Sequence, residues 1–181
     1  VVDRTHSPCI FEMVYFARPD SMIDGISVYK TRLRSGKAMA KQWREQGAPE
    51  PDVVIPIPDS SREAAMAMAD GLDVPYREGL VKNRYIGRTF IAPSQEMRAL
   101  GVRMKLNPLR DNVEGRRLIV VDDSIVRGTT PRAMVGMLRE AGATEVHLRV
   151  SSPPYRWPCH YGMDTGKRGE LLAANLSVDE I

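Results

Sequence analysis

The stretch Leu118-Ile119-Val120-Val121-Asp122-Asp123-Ser124-Ile125-Val126-Arg127-Gly128-Thr129-Thr130-Pro131 decides the fold. Its four consecutive aliphatic residues make a strand buried on both faces, the pattern of a parallel sheet rather than of a half-exposed hairpin. The polar residues behind it form a loop, and Thr130-Pro131 supplies the N-cap and first position of a helix. Met134, Met137, Leu138 and Ala141 then recur on one helical face, so the methionines are core packing, and Gly142 stops the helix. A further strand is expected at about Glu145–Val150. A strand–loop–helix–strand unit of this kind lays its two strands side by side and parallel.

Upstream the same grammar repeats. Val28 to Glu45 has helical character, with Met39 and Trp43 one turn apart and Gly47 as the stop. Asp52-Val53-Val54-Ile55-Pro56-Ile57-Pro58 is a second short buried strand with a loop behind it. Ser60-Ser61-Arg62-Glu63 reads as a capping box opening the next helix, which Ala64 to Ala69 fill and Gly71 ends. Alternating strands and helices, with no internal repeat, predict one α/β domain over residues 1–181, a mainly parallel sheet covered on both faces.

Composition narrows the class. The chain has 181 residues, 43% hydrophobic and 27% charged, enough for a core that needs no disulfide or structural metal. No apolar run approaches the roughly 20 residues of a membrane span, and no charged-then-apolar leader opens the sequence. Two cysteines, Cys9 and Cys159, fit a reducing, cytoplasmic setting, in which the Asn175-Leu176-Ser177 sequon is chance. Val1 in place of Met and a Ser177-Val178-Asp179-Glu180 helix start one residue before the end read as a piece of a longer chain. From Lys82 to Arg117, nine Lys/Arg stand against three Asp/Glu, more than the whole net charge of +3, so the remainder is net negative. A basic segment in an acidic body points to an anionic ligand, or is a solvated loop. Nucleic acid is disfavoured, because only Tyr85 and Phe90 interleave the charges and no recognition motif accompanies them.

Parallel sheets bind ligands beyond the carboxyl ends of their strands. Two loops lie there: Pro58-Asp59-Ser60-Ser61 and Asp122 through Thr130. In the second, a Ser/Gly/Thr/Thr turn entering a helix can cradle a phosphate with backbone N–H groups, hydroxyls and the helix dipole. Asp122 and Asp123 repel a phosphate, so their partners are hydroxyls or a hard cation such as Mg²⁺, unless the pair merely caps a turn. A ribose 5-phosphate satisfies both halves of the loop. No Walker P-loop and no G-x-G-x-x-G is present, which disfavours ordinary nucleoside triphosphatases and dinucleotide enzymes.

The Val120–Thr130 stretch resembles the phosphoribosyl-pyrophosphate (PRPP) loop of type I phosphoribosyltransferases. Cys9-Ile10-Phe11-Glu12, Tyr15 to Ser21, Ile55 to Ser61, Val81 to Ile91 and Lys105-Leu106-Asn107 are similar to the phosphoribosyltransferase half of the amidophosphoribosyltransferase family, without its glutaminase domain. The resemblance implies a type I phosphoribosyltransferase fold with a small hood or flap, and the transfer of ammonia to C1 of PRPP, giving 5-phosphoribosylamine and pyrophosphate, the first step of purine nucleotide synthesis. It implies that Asp122 and Asp123 bind the ribose hydroxyls and, with Ser60, Mg²⁺. Ser124, Ile125, Val126, Arg127, Gly128, Thr129 and Thr130 would wrap the 5′-phosphate, while Asp59, Ser60 and Ser61 hold pyrophosphate and Lys105 joins the PRPP set. Lys82, Arg84, Tyr85 and Arg88 would belong to a catalytic lid spanning Lys82 to Phe90. Tyr15, Phe16, Tyr85 and Ile91 would be apolar walls of an ammonia route, or simple packing. Also implied are ammonia supplied by a glutaminase domain, feedback inhibition by purine nucleotides, and a homo-oligomer.

Cys9 and Cys159 stand where the cluster-bearing branch of the family ligates a [4Fe–4S] cluster. Four thiolates are required, so the complete protein, and not this chain, is expected to hold one. A zinc site from His6, Cys9, Cys159 and His160 has the right ligand count but no recognised spacing. A non-catalytic PRPP or nucleotide sensor with the same fold is the alternative reading; it needs the binding loop but no lid. A transferase acting on a nucleobase would need a base pocket in the hood, and the Cys9–Ser21 and Lys82–Ile91 similarities speak against it.

Overall fold

The computed structural model describes residues 6–83, Tyr85 and residues 104–181. Among them, in chain order, lie a π-helical turn at Glu12–Phe16, β1 (Met22–Ile23), β2 (Ile26–Ser27), α1 (Val28–Glu45), β3 (Val53–Pro56), α2 (Arg62–Leu72), β4 (Leu80–Lys82), β5 (Leu106–Pro108), β6 (Arg117–Asp122), α3 (Thr129–Glu140) and β7 (Glu145–Val150). One-turn helices follow β5 at Arg110–Val113 and close the C-terminal region at Leu172–Asn175. No helix among the described residues is long and apolar enough to cross a membrane.

The central sheet has the order β3-β6-β7 and is parallel throughout, with Val53 opposite Leu118 and Arg117 opposite Glu145. Because successive side chains leave a strand on opposite faces, the unbroken apolar runs of β3 and β6 feed two cores at once. Val53, Ile55, Leu118 and Val120 pack with Met134, Met137, Leu138 and Ala141 of the α3 region. Val54, Ile119 and Val121 pack against Met39, Ala40 and Trp43 of α1 and Ala64, Ala65, Met68 and Ala69 of α2. Met39, Met68, Met134 and Met137 are core. On the outer strand, Arg149 lies 4.4 Å over the Trp43 ring and His147 meets its edge at 5.2 Å, so the indole is covered by polar neighbours.

Helices α1 and α2 approach closely because small residues line the contact. A Cβ at Gly36 would sit 2.1 Å from the Ala64 carbonyl oxygen, and one at Gly71 would sit 2.7 Å from the Ala40 Cβ. Gly71 therefore does not end α2 as expected; the helix continues to Leu72 and is closed by Asp73 in the left-handed region, φ 60°. Its start also departs from expectation. Ser61, not Ser60, occupies the cap position, without a side-chain capping bond; the Ser60 hydroxyl is bonded to Asp123, and Glu63, now second in the helix, faces the buried Arg32 guanidinium at 3.7 Å. Helix α3 begins two residues early, with Gly128 as cap at φ 74°, so Pro131 stands third, still within the turn whose N–H groups need no helical acceptor. The expected spans of α1 and β7 hold, Gly47 and Gly142 take positive φ past their helices, and the Ser177–Glu180 capping box forms.

Candidate functional site at the carboxyl edge of the sheet

β3 and β6 end at the same edge, and their loops meet there. The Ser60 hydroxyl donates to the Asp123 carboxylate, joining the two loops across 63 residues of sequence. Asp122 and Asp123 are both buried. The Asp123 N–H donates to Asp122 Oδ1 at 2.9 Å, and the Ser124 hydroxyl donates to Asp123 Oδ1 at 2.6 Å. Burial, reinforced by the Asp123 charge, pushes the Asp122 carboxyl up to about 8. Burial raises Asp123 as well, opposed by the Ser124 and Ser60 hydroxyls and the field of Arg32. Asp122 therefore holds a proton at neutral pH beside Asp123, and a hard cation would displace it.

Downstream of the pair, Gly128 sits in the left-handed region at the start of α3, giving the loop the sharp turn an amide cradle needs. Arg127 does not point into that cradle. Its Nε donates to Glu170 Oε2 at 2.8 Å and its Nη2 to the Asp164 carbonyl at 2.7 Å, while the Leu172 N–H donates to the Val126 carbonyl at 2.8 Å. The C-terminal region thus braces the loop from behind, and Arg127 is its tether. This bracing had no signal in the sequence.

On the β3 side, the Pro58–Asp59 peptide is cis, and Ser61 Oγ is buried without a hydrogen-bond partner. Asp59 is flanked by cations: Lys82 Nζ at 3.1 Å and Arg62 Nη2 at 3.5 Å, with Arg62 also 3.3 Å from Glu78. The structure therefore brings Asp59, Ser60, Lys82, Asp122, Asp123 and Ser124 to one edge. Tyr85 is fully exposed, and its N–H donates to Asn83 Oδ1. The Lys105 carbonyl accepts the Asn83 N–H at 2.7 Å, tying the two ends of the basic segment together. Arg84, Arg88, Phe90 and Ile91, and with them most of the expected lid, lie outside the described residues.

In the Glu12–Phe16 turn, Tyr15 and Phe16 are both exposed, their rings tilted at 57° with centroids 5.3 Å apart. Behind them lies Arg32, a buried cation that pattern reading missed among the many lysines and arginines of α1. The cysteines are free, Cys9 exposed and Cys159 half-buried. The N–H groups of Gly162, Met163 and Tyr161 lower the Cys159 thiol, an environment suited to a thiolate. The zinc quartet is not assembled: His6 pairs with Asp24, and no group of three or more His, Cys, Asp or Glu side chains suited to a metal exists among the described residues.

A parallel sheet whose carboxyl edge presents a buried Asp-Asp pair ahead of a Gly-Thr-Thr helix start, facing an Asp-Ser-Ser loop, is the framework of a type I phosphoribosyltransferase. The sequence model of the phosphoribosyl transferase domain matches residues 26–153, and the chain belongs to that family. Its particular likeness is to amidophosphoribosyltransferases. It is 55% identical over 174 residues to the protein of that name from Synechococcus elongatus, covering 96% of this chain and 34% of that protein. It is 54% identical over 182 residues to the one from Pyrococcus horikoshii, covering 100% of this chain and 39% of that protein. The solved glutamine PRPP amidotransferase of B. subtilis, complexed with ADP and GMP, superposes with a TM-score of 0.80 at 56% identity, over 95% of this chain and 37% of that one. The chain thus spans little more than a third of the length of these relatives.

Proposed function

We propose that this chain binds PRPP at the joined Asp59–Ser61 and Asp122–Thr130 loops and carries the ammonia-dependent transferase step of an amidophosphoribosyltransferase. The observation that carries the reading is the Ser60–Asp123 contact, which puts a hydroxyl-lined loop against a buried carboxylate pair directly ahead of a helix start. Asp122 and Asp123 take the vicinal ribose hydroxyls. The Ser124–Thr130 amides and hydroxyls take the 5′-phosphate, and the α2 start with Ser60 and Ser61 takes the diphosphate.

The donor set fits Mg²⁺. Two carboxylates and a hydroxyl without a third acid match a cation whose other ligands are substrate oxygens and water. Held by Asp122, Asp123 and Ser60, it would supply charge neutralisation on the departing diphosphate. In the reaction the ammonia lone pair forms the N–C1 bond, the bond from C1 to the diphosphate oxygen breaks with its electron pair on oxygen, and the ammonium product loses a proton. The chain's own groups orient the sugar, neutralise the leaving group and exclude water. Lys82, paired to Asp59 without ligand, exchanges that carboxylate for the diphosphate, and Arg84, Tyr85, Arg88 and Lys105 complete the anion-binding set.

A longer protein built like the relatives supplies the ammonia from a glutaminase domain and two further thiolates beside Cys9 and Cys159 for an iron–sulfur cluster, since this sequence holds only two cysteines. Purine nucleotides compete for the phosphate loop, as the ADP- and GMP-bound relative suggests.

The test is calorimetric titration of the chain with PRPP and Mg²⁺, followed by an ammonia-dependent pyrophosphate-release assay. Metal-dependent binding with release is expected, and both Asp123→Ala and Lys82→Ala lower release roughly a hundredfold, about 3 kcal/mol, as for other lost electrostatic contacts. Full turnover in either variant refutes its assigned role. Binding without release would favour a nucleotide-sensing domain.

A further inference from the structure

Arg32 is the most buried cation of the described chain, 4% exposed, and it spends its charge on backbone. Its Nε donates to the Met13 carbonyl at 3.0 Å, and its Nη2 donates to the Ala17 carbonyl at 2.8 Å and the Tyr15 carbonyl at 3.4 Å. Nη1 faces Glu63 Oε2 at 3.7 Å, and that carboxylate oxygen is buried with no hydrogen bond of its own. One rigid guanidinium therefore touches the π-turn Glu12–Phe16 on one side and the first turn of α2 on the other. Only arginine has the donor geometry for this; lysine is a point donor on a flexible stem.

A buried arginine kept merely for packing would be an expensive choice, since desolvating a charge costs several kcal/mol unless it is well paired. The elements it joins explain the choice. The π-turn carries the exposed aromatic pair Tyr15 and Phe16, and the first turn of α2 carries the Asp59–Ser61 loop. We propose that Arg32 is a positioning residue that clamps the Glu12–Phe16 turn to the start of α2, holding the Tyr15–Phe16 ledge in register with the Asp59–Ser61 loop. The proposal rests on the transferase reading for its consequence. On that reading the loops of β3 and β6 hold PRPP, and the turn, reached through Arg32, serves the ammonia step rather than PRPP binding. Losing the clamp then spares PRPP binding and harms the ammonia step.

The experiment uses Arg32→Lys in the same 181-residue chain, with three readouts: the PRPP–Mg²⁺ dissociation constant, ammonia-dependent pyrophosphate release, and amide hydrogen exchange. The Ala17 amide, bonded to the Glu12 carbonyl at 3.0 Å, reports on the turn. Expected are a dissociation constant within threefold, release reduced at least tenfold, and Ala17 exchange accelerated at least tenfold with β3 and β6 amides unchanged. Unchanged Ala17 exchange overturns the clamp. Affinity and rate falling by the same factor reduce Arg32 to a structural role and overturn the positioning claim. Glu63→Ala, which removes only the α2 side of the clamp, carries the test should the lysine variant fail to fold: release falling at least threefold at constant affinity upholds the coupling, and unchanged release refutes it. If the parent chain binds no PRPP, the transferase reading fails, whereas the exchange readout still decides the clamp.

Discussion

Two glycines inside helices predict opposite responses to one substitution. Replacing a helical glycine by alanine removes backbone freedom from the unfolded chain and gains about 0.5–1 kcal/mol where the site is open. Gly136 in α3 is open, with no atom within 4 Å of the position an added methyl group would take, so Gly136→Ala is expected to stabilise by that amount. Gly36 in α1 is closed. Its new Cβ would meet the Ala64 carbonyl oxygen at 2.1 Å and the Ala67 Cβ at 2.8 Å. Backbone oxygen cannot rotate away, so α1 and α2 must separate by about 1 Å, an overpacking cost of about 1–3 kcal/mol that exceeds or at least cancels the entropic gain. At about 2–4 °C per kcal/mol for a domain of this size, thermal unfolding by circular dichroism should place Gly136→Ala about 1–4 °C above the parent. On the same scale Gly36→Ala falls as much as about 8 °C below it. A Gly36→Ala chain as stable as Gly136→Ala would refute the packing geometry.

Other expectations follow from the site and its frame. Because Asp122 is held near 8 by burial and by Asp123, it is mostly protonated at pH 7, so binding of Mg²⁺ with PRPP should release close to one proton. Calorimetric heats that do not vary with the ionisation enthalpy of the buffer would contradict this. The same raised value means the unliganded fold keeps this contribution fully only below about pH 4 and loses it as pH rises through about 8, a trend that Asp122→Asn should flatten in urea titrations. Asp52 behaves oppositely. The Arg117 side chain and N–H hold it down to about 2, so its contribution is present above about pH 4 and is lost as pH falls towards 2. Both partners are more than a third exposed, so the effect is small, and Asp52→Asn should abolish its salt sensitivity on the acid side. Gly128→Ala forces a side chain into φ 74° and within 3.1 Å of Leu172, costing about 1–2 kcal/mol and weakening PRPP binding in the same titration.

The frame was largely legible because burial on both faces leaves a plain mark. Val53–Ile55 and Leu118–Val121 are unbroken aliphatic runs, and Gly47 and Gly142 punctuate their helices where backbone handedness demands it. The two edge loops were legible from residue chemistry alone. What joins them was not, since no local pattern announces that Ser60 will reach Asp123. The capping box at Ser60–Glu63 misled because Ser60 is drawn to Asp123 and the cap falls to Ser61, which puts Glu63 out of register. Arg32 itself had a signal: it falls in the buried register of Val28, Gly36, Met39 and Trp43, where a cation must have internal acceptors. Gly71 misled for the reason Gly36 is informative, as helix contacts need small residues as much as helix ends do.

The order of strands in the sheet also bears on how the chain assembles. β6, α3 and β7 follow one another directly, so that unit closes through short chain segments, and α1 can dock on α2 across a similarly short span. Pairing β3 with β6 is different, because it brings together residues 65 positions apart, as in the Asp52–Arg117 contact. Loop closure on that scale is entropically dearer and slower than local docking. The two halves are thus expected to form first and the β3–β6 seam last, with φ-values near zero for Val53 and Ile55 and higher ones for Met134 and Leu138. Since Ser60 and Asp123 sit at the end of that seam, a partly folded chain has no assembled anion site, and competence to bind arrives only with the final folding event.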